Sequence, residues 1–256
     1  MITLKHNDWE LSGIEAIIFD KDGTLTDVHT YWGEIIKMRA DRIVNEFCLP
    51  STYKIYLEYM MGYSTVTNKL SKNGPIALVG RNEVIRIVTE YLCKNSIKTT
   101  EDRIGKIFDS VHAQFAKEKM DECIKILPKV REFLVALSDY PCFDEVLLFL
   151  LTSDTKTNAK KGMIKLDLIK YFTAIYGKED SKKDKITGSI CGDIIKTHEL
   201  NPENVIAIGD TNTDIIMAKN AGIKGCIGVA TGQVPFTKLE TPYKCHSFSE
   251  IKVIKE

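Results

Sequence analysis

The sequence predicts an α/β fold, a doubly wound parallel sheet covered by helices, with an all-helical block inserted after its first strand. Three features point there. From residue 128 onward, short apolar runs of strand length alternate with helical patterns, as in a parallel sheet with helices on both faces. Asp20, Thr152 and Asp210 each follow an apolar run of this kind, the first of them near the start of the chain, at the carboxyl ends where such sheets bind ligands. Finally, Asp22 and Thr152 stand 152 − 22 = 130 positions apart, far beyond an ordinary crossover, and the interval reads as helix.

In chain order, residues 1–12 read as a short extension that packs Trp9 and Leu11 against the domain. Ile14, Ala16, Ile17, Ile18 and Phe19 read as a buried strand, which Gly23 breaks into a turn. Residues 27–31 read as a linker. From Trp32 the period becomes helical: Ile35, Ile36, Met38, Ile43, Val44 and Phe47 recur at helical spacing until Leu49-Pro50 stops it. Further helices are expected at 53–61, 63–71, 81–94 and 100–119, punctuated by Asn73-Gly74-Pro75, and no strand is expected among them. Pro128-Lys129-Val130 opens a helix that runs through Leu137. Strands follow at 146–151, 174–176, 205–208 and 225–229, with a last short one at 244–249. There is no internal repeat and no low-complexity linker.

Composition narrows the classes. At 256 residues the chain suffices for one large domain or a core with a smaller insertion. Lys plus Arg and Asp plus Glu are both 35, so no net field draws it to nucleic acid or to an anionic membrane. No apolar segment follows a basic start, and no run approaches about 20 apolar residues. A soluble cytoplasmic protein is the expectation. The seven cysteines are scattered without a Cys-x-x-Cys pair, which argues against a disulfide framework or a zinc site and suits small buried hydrophobes in a reducing compartment.

The stretch from Ile17 to Asp27 organises the chemistry. Alternation lets Asp20 and Asp22 face one small volume, where two like charges need a cation or a shared proton. A hard divalent ion, magnesium above all, suits their oxygens and leaves Asp20 ionised while Asp22 takes up and returns a proton. A carboxylate nucleophile, an acid for the leaving oxygen and a metal against phosphate charge are what transfer through an aspartyl-phosphate requires. The same residues also fit a plain acidic turn after a strand.

With two further stretches, these residues resemble the haloacid dehalogenase superfamily of phosphohydrolases. Its first motif, Asp-x-Asp-Gly-Thr-Leu, is matched by Asp20 to Leu25 with Lys21 in the variable slot. Its second, a hydroxyl residue closing an apolar strand, is matched by Leu147-Leu148-Phe149-Leu150-Leu151-Thr152. Its fourth, Gly-Asp-x-x-x-Asp, is matched by Gly209-Asp210-Thr211-Asn212-Thr213-Asp214. The likeness runs through nearly the whole chain and is greatest to the phosphoglycolate-phosphatase-like members. It implies a Rossmann-like core of residues 1–28 and 126–256 and a helical cap of 29–125 that covers the active site and selects the substrate.

The resemblance implies Asp20 as nucleophile and Asp22 as general acid and base. Magnesium would be held by the Asp20 side chain, the Asp22 backbone carbonyl and Asp210, with Asp214 acting from behind them or through water. The Thr152 hydroxyl and the Ser153 amide would take phosphate oxygens. The backbone amides of Gly23 and Thr24 would join them, because a turn opening after a strand exposes unpaired amides. Thr152 equally suits an ordinary strand end. The family's third motif, a lysine that neutralises phosphate and steadies the nucleophile, falls among Lys178, Lys182, Lys183 and Lys185. Lys185 stands 209 − 185 = 24 positions before Gly209, a fitting interval, with Lys182 second. The proline that often follows this lysine in capped relatives is replaced by Ile186.

The expected activity is therefore that of a magnesium-dependent phosphatase acting on a small phosphate ester of a sugar, polyol or short hydroxy acid. A phosphomutase would share all four motifs and stands as the alternative, with a non-catalytic phosphate-binding regulator on the same fold behind it. Asp22 argues against a dehalogenase or a phosphonate hydrolase, and a transport ATPase would need membrane segments. His29, Tyr31 and Trp32 either line the entrance or seat the cap. Lys69, Lys72 and Arg81 either meet a second anionic group or form a solvated basic face.

Overall fold

In the computed structural model, which describes residues 1–72, 74–76, 79–138, 146–180 and 184–255, the chain opens as a hairpin rather than an extension. Asn73, Cys142, Lys182 and Lys183 lie outside the described residues. Strand β1 (Ile2–Lys5) pairs antiparallel with β2 (Glu10–Ile14), and Trp9 and Leu11 are buried in the core as expected. Glu15 separates β2 from β3 (Ala16–Phe19), so the first apolar run is two strands and Ile14 belongs to the earlier one.

The chain packs as two compact units, Met1–Asp27 with Ile126–Glu256, and Val28–Lys125. In the second unit, α1 (Val28–Glu46) already includes most of the stretch expected as a linker, and α2 (Thr52–Met60) follows. Residues 63–71 are not helical. They hold β4 (Tyr63–Ser64) and β5 (Lys69–Leu70), an antiparallel hairpin. Between them Thr65, Val66 and Thr67 are β-branched and stiff in a helix. Asn68 takes a left-handed φ of 52°, and its Oδ1 accepts from the Tyr63 hydroxyl at 3.2 Å. Helices α3 (Arg81–Lys94), α4 (Glu101–Glu118) and α5 (Met120–Cys123) complete the unit. The α4 stripe Ile104, Ile107, Phe108, Val111 and Phe115 has helical spacing, and the Thr100 hydroxyl caps its start by accepting from the Arg103 N–H.

The first unit resumes with α6 (Val130–Ser138), β6 (Leu147–Leu151), α7 (Lys156–Lys165), β7 (Ala174–Tyr176), α8 (Ser189–Thr197), β8 (Val205–Gly209), α9 (Asn212–Ala221) and β9 (Gly225–Val229). Two short strands end it, β10 (Lys244–Cys245) and β11 (Lys252–Lys255). The expected strand at 244–249 thus shrinks to two residues. β11, absent from the sequence reading, pairs with β1 to make a three-stranded antiparallel sheet.

The main sheet has the order β10-β9-β8-β3-β6-β7, and every pair in it is parallel. Alternation along β3 explains its two-sided cover. Ile17 and Phe19 join a cluster with Phe133 and Leu134 of α6 and Met163 of α7. Ala16 and Ile18 join another with Ile190 and Ile194 of α8 and Met217 of α9. Each such fully buried aliphatic or phenyl side chain contributes about 1.5–3 kcal/mol, so the central strand is pinned on both faces. No helix among the described residues is long and apolar enough to cross a membrane.

Candidate active site

Strand register brings the site together. β3 lies between β6 and β8, with Phe19 level with Leu150 on one side and Ile208 on the other. The three chains therefore leave the sheet at one height, delivering Asp20, Thr152 and Asp210 to a single crevice at the switch point of the sheet. The Asp20 N–H makes the last rung, donating to the Ile208 carbonyl at 2.9 Å.

Beyond Asp20 the chain closes a tight turn. The Leu25 and Thr26 N–H groups donate to the Lys21 carbonyl, and the Gly23 N–H donates to the Thr26 carbonyl at 2.8 Å. Gly23 takes a φ of +93°, and a Cβ on it would overlap the Asp210 carboxylate. The expectation that the Gly23 amide faces phosphate is corrected, because turn closure consumes that donor. The Thr24 and Ser153 N–H groups meet no acceptor among the described residues and stay available. The Thr152 hydroxyl oxygen accepts from the Asp154 N–H at 3.1 Å, which leaves its own proton to donate.

One carboxylate oxygen from each of Asp20, Asp210 and Asp214 lies within 4.8 Å of the others. The Lys185 ammonium stands 2.5 Å from Asp20 Oδ1 and 2.7 Å from Asp214 Oδ1. Lys185 opens a single helical turn, Lys185–Thr187; Lys182 lies outside the described residues. The second Asp214 oxygen accepts from the Thr211 N–H and hydroxyl at 3.2 and 2.8 Å, capping α9. Asp214 thus has both oxygens engaged by protein groups. Asp210 accepts from the Thr24 hydroxyl at 3.4 Å and lies against Gly232, where a Cβ would again meet its carboxylate.

Burial pushes the Asp20 carboxyl up to about 7, with Lys185 opposing and Asp214 assisting. Asp210 is raised well above the ordinary range, by burial first and then by Asp20 and Asp214. Burial works against the Lys185 charge, but Asp20 and Asp214 outweigh it and raise its proton affinity. Were all three carboxyl groups ionised, one ammonium would leave two negative charges uncompensated, and burial resists that excess. Hard oxygen donors with that imbalance fit a divalent cation such as magnesium.

Asp22 stands apart from those three. Its Oδ2 lies 3.2 Å from the Lys21 ammonium and its Oδ1 accepts from the Thr26 hydroxyl at 3.1 Å. The two carboxylates of the turn therefore do not share one counter-charge, as alternation suggests; each has its own lysine. Lys21 is fully buried and also donates to Asp154 Oδ2 at 2.9 Å. Burial alone would raise the Asp154 carboxyl, but Lys21 and donors from Thr155 and Asn158 hold it below its ordinary range.

Lys21, Asp154, Thr231 and Gly232 were not singled out by the sequence. The Thr231 hydroxyl donates to the Gly23 carbonyl at 2.6 Å, fastening the loop after β9 to the turn. Its signal is small residues directly after an apolar strand, the same position that marked Thr152. In the helical unit, Tyr31 packs edge-on against Phe115 and Trp32, within that unit's own core. Arg81 donates to Asp109 and to the Gly105 carbonyl, an exposed pair that fits the solvated basic face.

The model of the haloacid dehalogenase-like hydrolases matches residues 14–222, and the chain belongs to that family. It is 26% identical over 230 residues to "Putative pyrophosphatase PpaX" of Caldanaerobacter subterraneus, an alignment covering 89% of this chain and 86% of the relative. A solved structure from Thermotoga maritima, described as a "putative beta-phosphoglucomutase", is 26% identical with a TM-score of 0.59, covering 84% of this chain and 85% of that one. Another, described as a "predicted phosphoglycolate phosphatase" from Haemophilus somnus, is 18% identical with a TM-score of 0.71 over 94% and 97%, a likeness of fold.

Proposed function

We propose that this chain hydrolyses the phosphate ester of a small metabolite, a sugar, polyol or short hydroxy acid, with magnesium and through a phosphoaspartate at Asp20. The chain is a phosphatase; the ester, the metal and the intermediate are the proposal. The observation that carries it is the clustering of Asp20, Asp210 and Asp214, with the Lys185 ammonium bridging Asp20 and Asp214.

In the first half-reaction an Asp20 oxygen attacks phosphorus while the bond to the leaving oxygen breaks, and Asp22 gives that oxygen a proton. In the second, Asp22 takes a proton from water, water attacks phosphorus, and the bond to Asp20 breaks to restore the carboxylate. Lys185 offsets phosphate charge and steadies Asp20, and Asp214 orients Lys185. The Thr152 hydroxyl and the Ser153 and Thr24 amides receive phosphate oxygens. Asp20, Asp210 and the Asp22 carbonyl would hold the cation, which supplies charge stabilisation to the transferring phosphoryl group.

We assign the unit Val28–Lys125 the role of a cap that limits substrate size, since it enters the chain directly after the turn that carries Asp22. Six free cysteines among the described residues support a reducing, cytoplasmic setting. The mutase reading draws on one relative's description and predicts isomerised sugar phosphate in place of free phosphate. The test is magnesium-dependent release of phosphate from p-nitrophenyl phosphate, followed by a panel of esters ranked by kcat/KM. Asp20→Asn and Asp22→Asn are expected to lose at least about 100-fold. Equal turnover by native protein and variants, or preference for a large phosphoprotein over every small ester, would contradict the proposal.

A further inference from the structure

We propose that Lys21 and Asp154 form a positioning pair that sets the orientation of the Asp22 carboxylate for proton transfer, an inference that rests on the phosphatase reading above. Lys21 occupies the slot of the first motif that the family leaves variable. A wholly buried ammonium is costly there, and an apolar side chain of similar length would fill the same volume more cheaply. The charge has a specific use in the geometry. Its nitrogen lies 3.2 Å from Asp22 Oδ2 and 2.9 Å from Asp154 Oδ2, bridging the turn after β3 to the turn after β6.

Asp154 is a rigid anchor. Its Oδ1 accepts from the Thr155 N–H at 2.7 Å and from the Asn158 amide at 3.2 Å, so Oδ2 is the oxygen turned to Lys21. Its own N–H holds the Thr152 hydroxyl. Asp22 is therefore gripped at both oxygens, by Thr26 from within its own turn and by Lys21 from a support fixed on the neighbouring strand end. The group that moves the proton is thereby kept in register with the group that holds the phosphate. A carboxylate bound at one oxygen only could rotate away, and a small misplacement of an acid costs much of its effect.

The test uses Lys21→Met, Asp154→Asn and the double variant, assayed on an alkyl phosphate and on p-nitrophenyl phosphate beside wild type, with thermal melting and calorimetric magnesium binding as controls. Each single variant is expected to lower kcat on the alkyl ester by about 30-fold, part of what a placed acid supplies, with KM little changed. The loss in kcat/KM, which reports the first half-reaction alone, is expected to be far smaller on the nitrophenyl ester, since that leaving group departs without a proton. On that ester kcat still falls through the second half-reaction, in which Asp22 activates water. The double variant is expected to fall no lower than the worse single one, because the two residues act as a unit. If Lys21→Met fails to fold, Asp154→Asn, which still offers Lys21 an acceptor, decides the matter. Equal losses in kcat/KM on both esters, multiplying losses, or a folded variant with native kcat on the alkyl ester would overturn the inference while leaving the phosphatase intact. A wild type inactive on every ester would overturn both.

Discussion

Lys185 and Lys21 in the unit that carries the site, and Arg39 and Glu58 in the helical unit, are four charged side chains almost closed off from water. They are held by different means. Each buried lysine touches two carboxylates within 3.2 Å or less. Arg39 instead lays its guanidinium 3.9 Å over the Phe108 ring, with Trp32 at 6.0 Å, and its Nε meets no hydrogen-bond partner among the described residues. Burial pushes Arg39 below its ordinary range, with Arg81 adding to the effect and Asp109 opposing it. Glu58 is raised by burial, and Lys54 and Lys37 only soften the shift. Buried charge in the first unit is thus networked and chemically poised, whereas in the second it is tolerated within packing.

Removing the two kinds of charge sharpens the contrast. Lys185→Met leaves Asp20 and Asp214 without their cation and is expected to cost about 3–5 kcal/mol of stability without magnesium, besides most of the activity. A melt in chelator that matched wild type would break the comparison. Arg39→Met should behave oppositely. It loses a cation–π contact of about 1 kcal/mol but also an unpaired buried charge, so the melting temperature is expected to hold or rise. A fall as large as that of Lys185→Met would mean that Arg39 has a partner of real consequence.

Glu58→Gln is the smallest effect and carries a pH signature. Because the folded-state pKa of Glu58 is raised, folding favours its protonated form. Wild-type stability is therefore full below the unfolded-state value, about 4.3, and is lost as pH rises through the folded one. The variant removes that slope, so its melting temperature relative to wild type should be higher at about pH 8 than at about pH 4. A difference that did not change with pH would remove Glu58 from this account.

Much of the site was legible because the chemistry follows apolar strands. Asp20, Thr152 and Asp210 each end such a run, and fold physics puts those ends together. Lys185 was reachable through the family resemblance, its spacing from Gly209 ranking it above the neighbouring lysines. What was not legible depends on contacts far apart in sequence: Lys21 meets Asp154 across 133 positions, and nothing local in either stretch announces it. The Gly23 amide was misassigned because turn closure depends on the Thr26 carbonyl, a backbone group that side-chain identity does not reveal. The β4–β5 hairpin was misread because apolar spacing outweighed the stiffness of Thr65, Val66 and Thr67. β1 and β11 escaped because short strands at a sheet of their own carry little periodicity.

The most direct measurement is chemical trapping of the enzyme during turnover. Quenching with borohydride reduces an aspartyl-phosphate to homoserine, and peptide mass spectrometry locates the change. The account predicts homoserine at Asp20, dependent on both substrate and magnesium and absent from Asp20→Asn. Turnover with no reduced residue, or reduction at Asp22 or Asp210 instead, would contradict it.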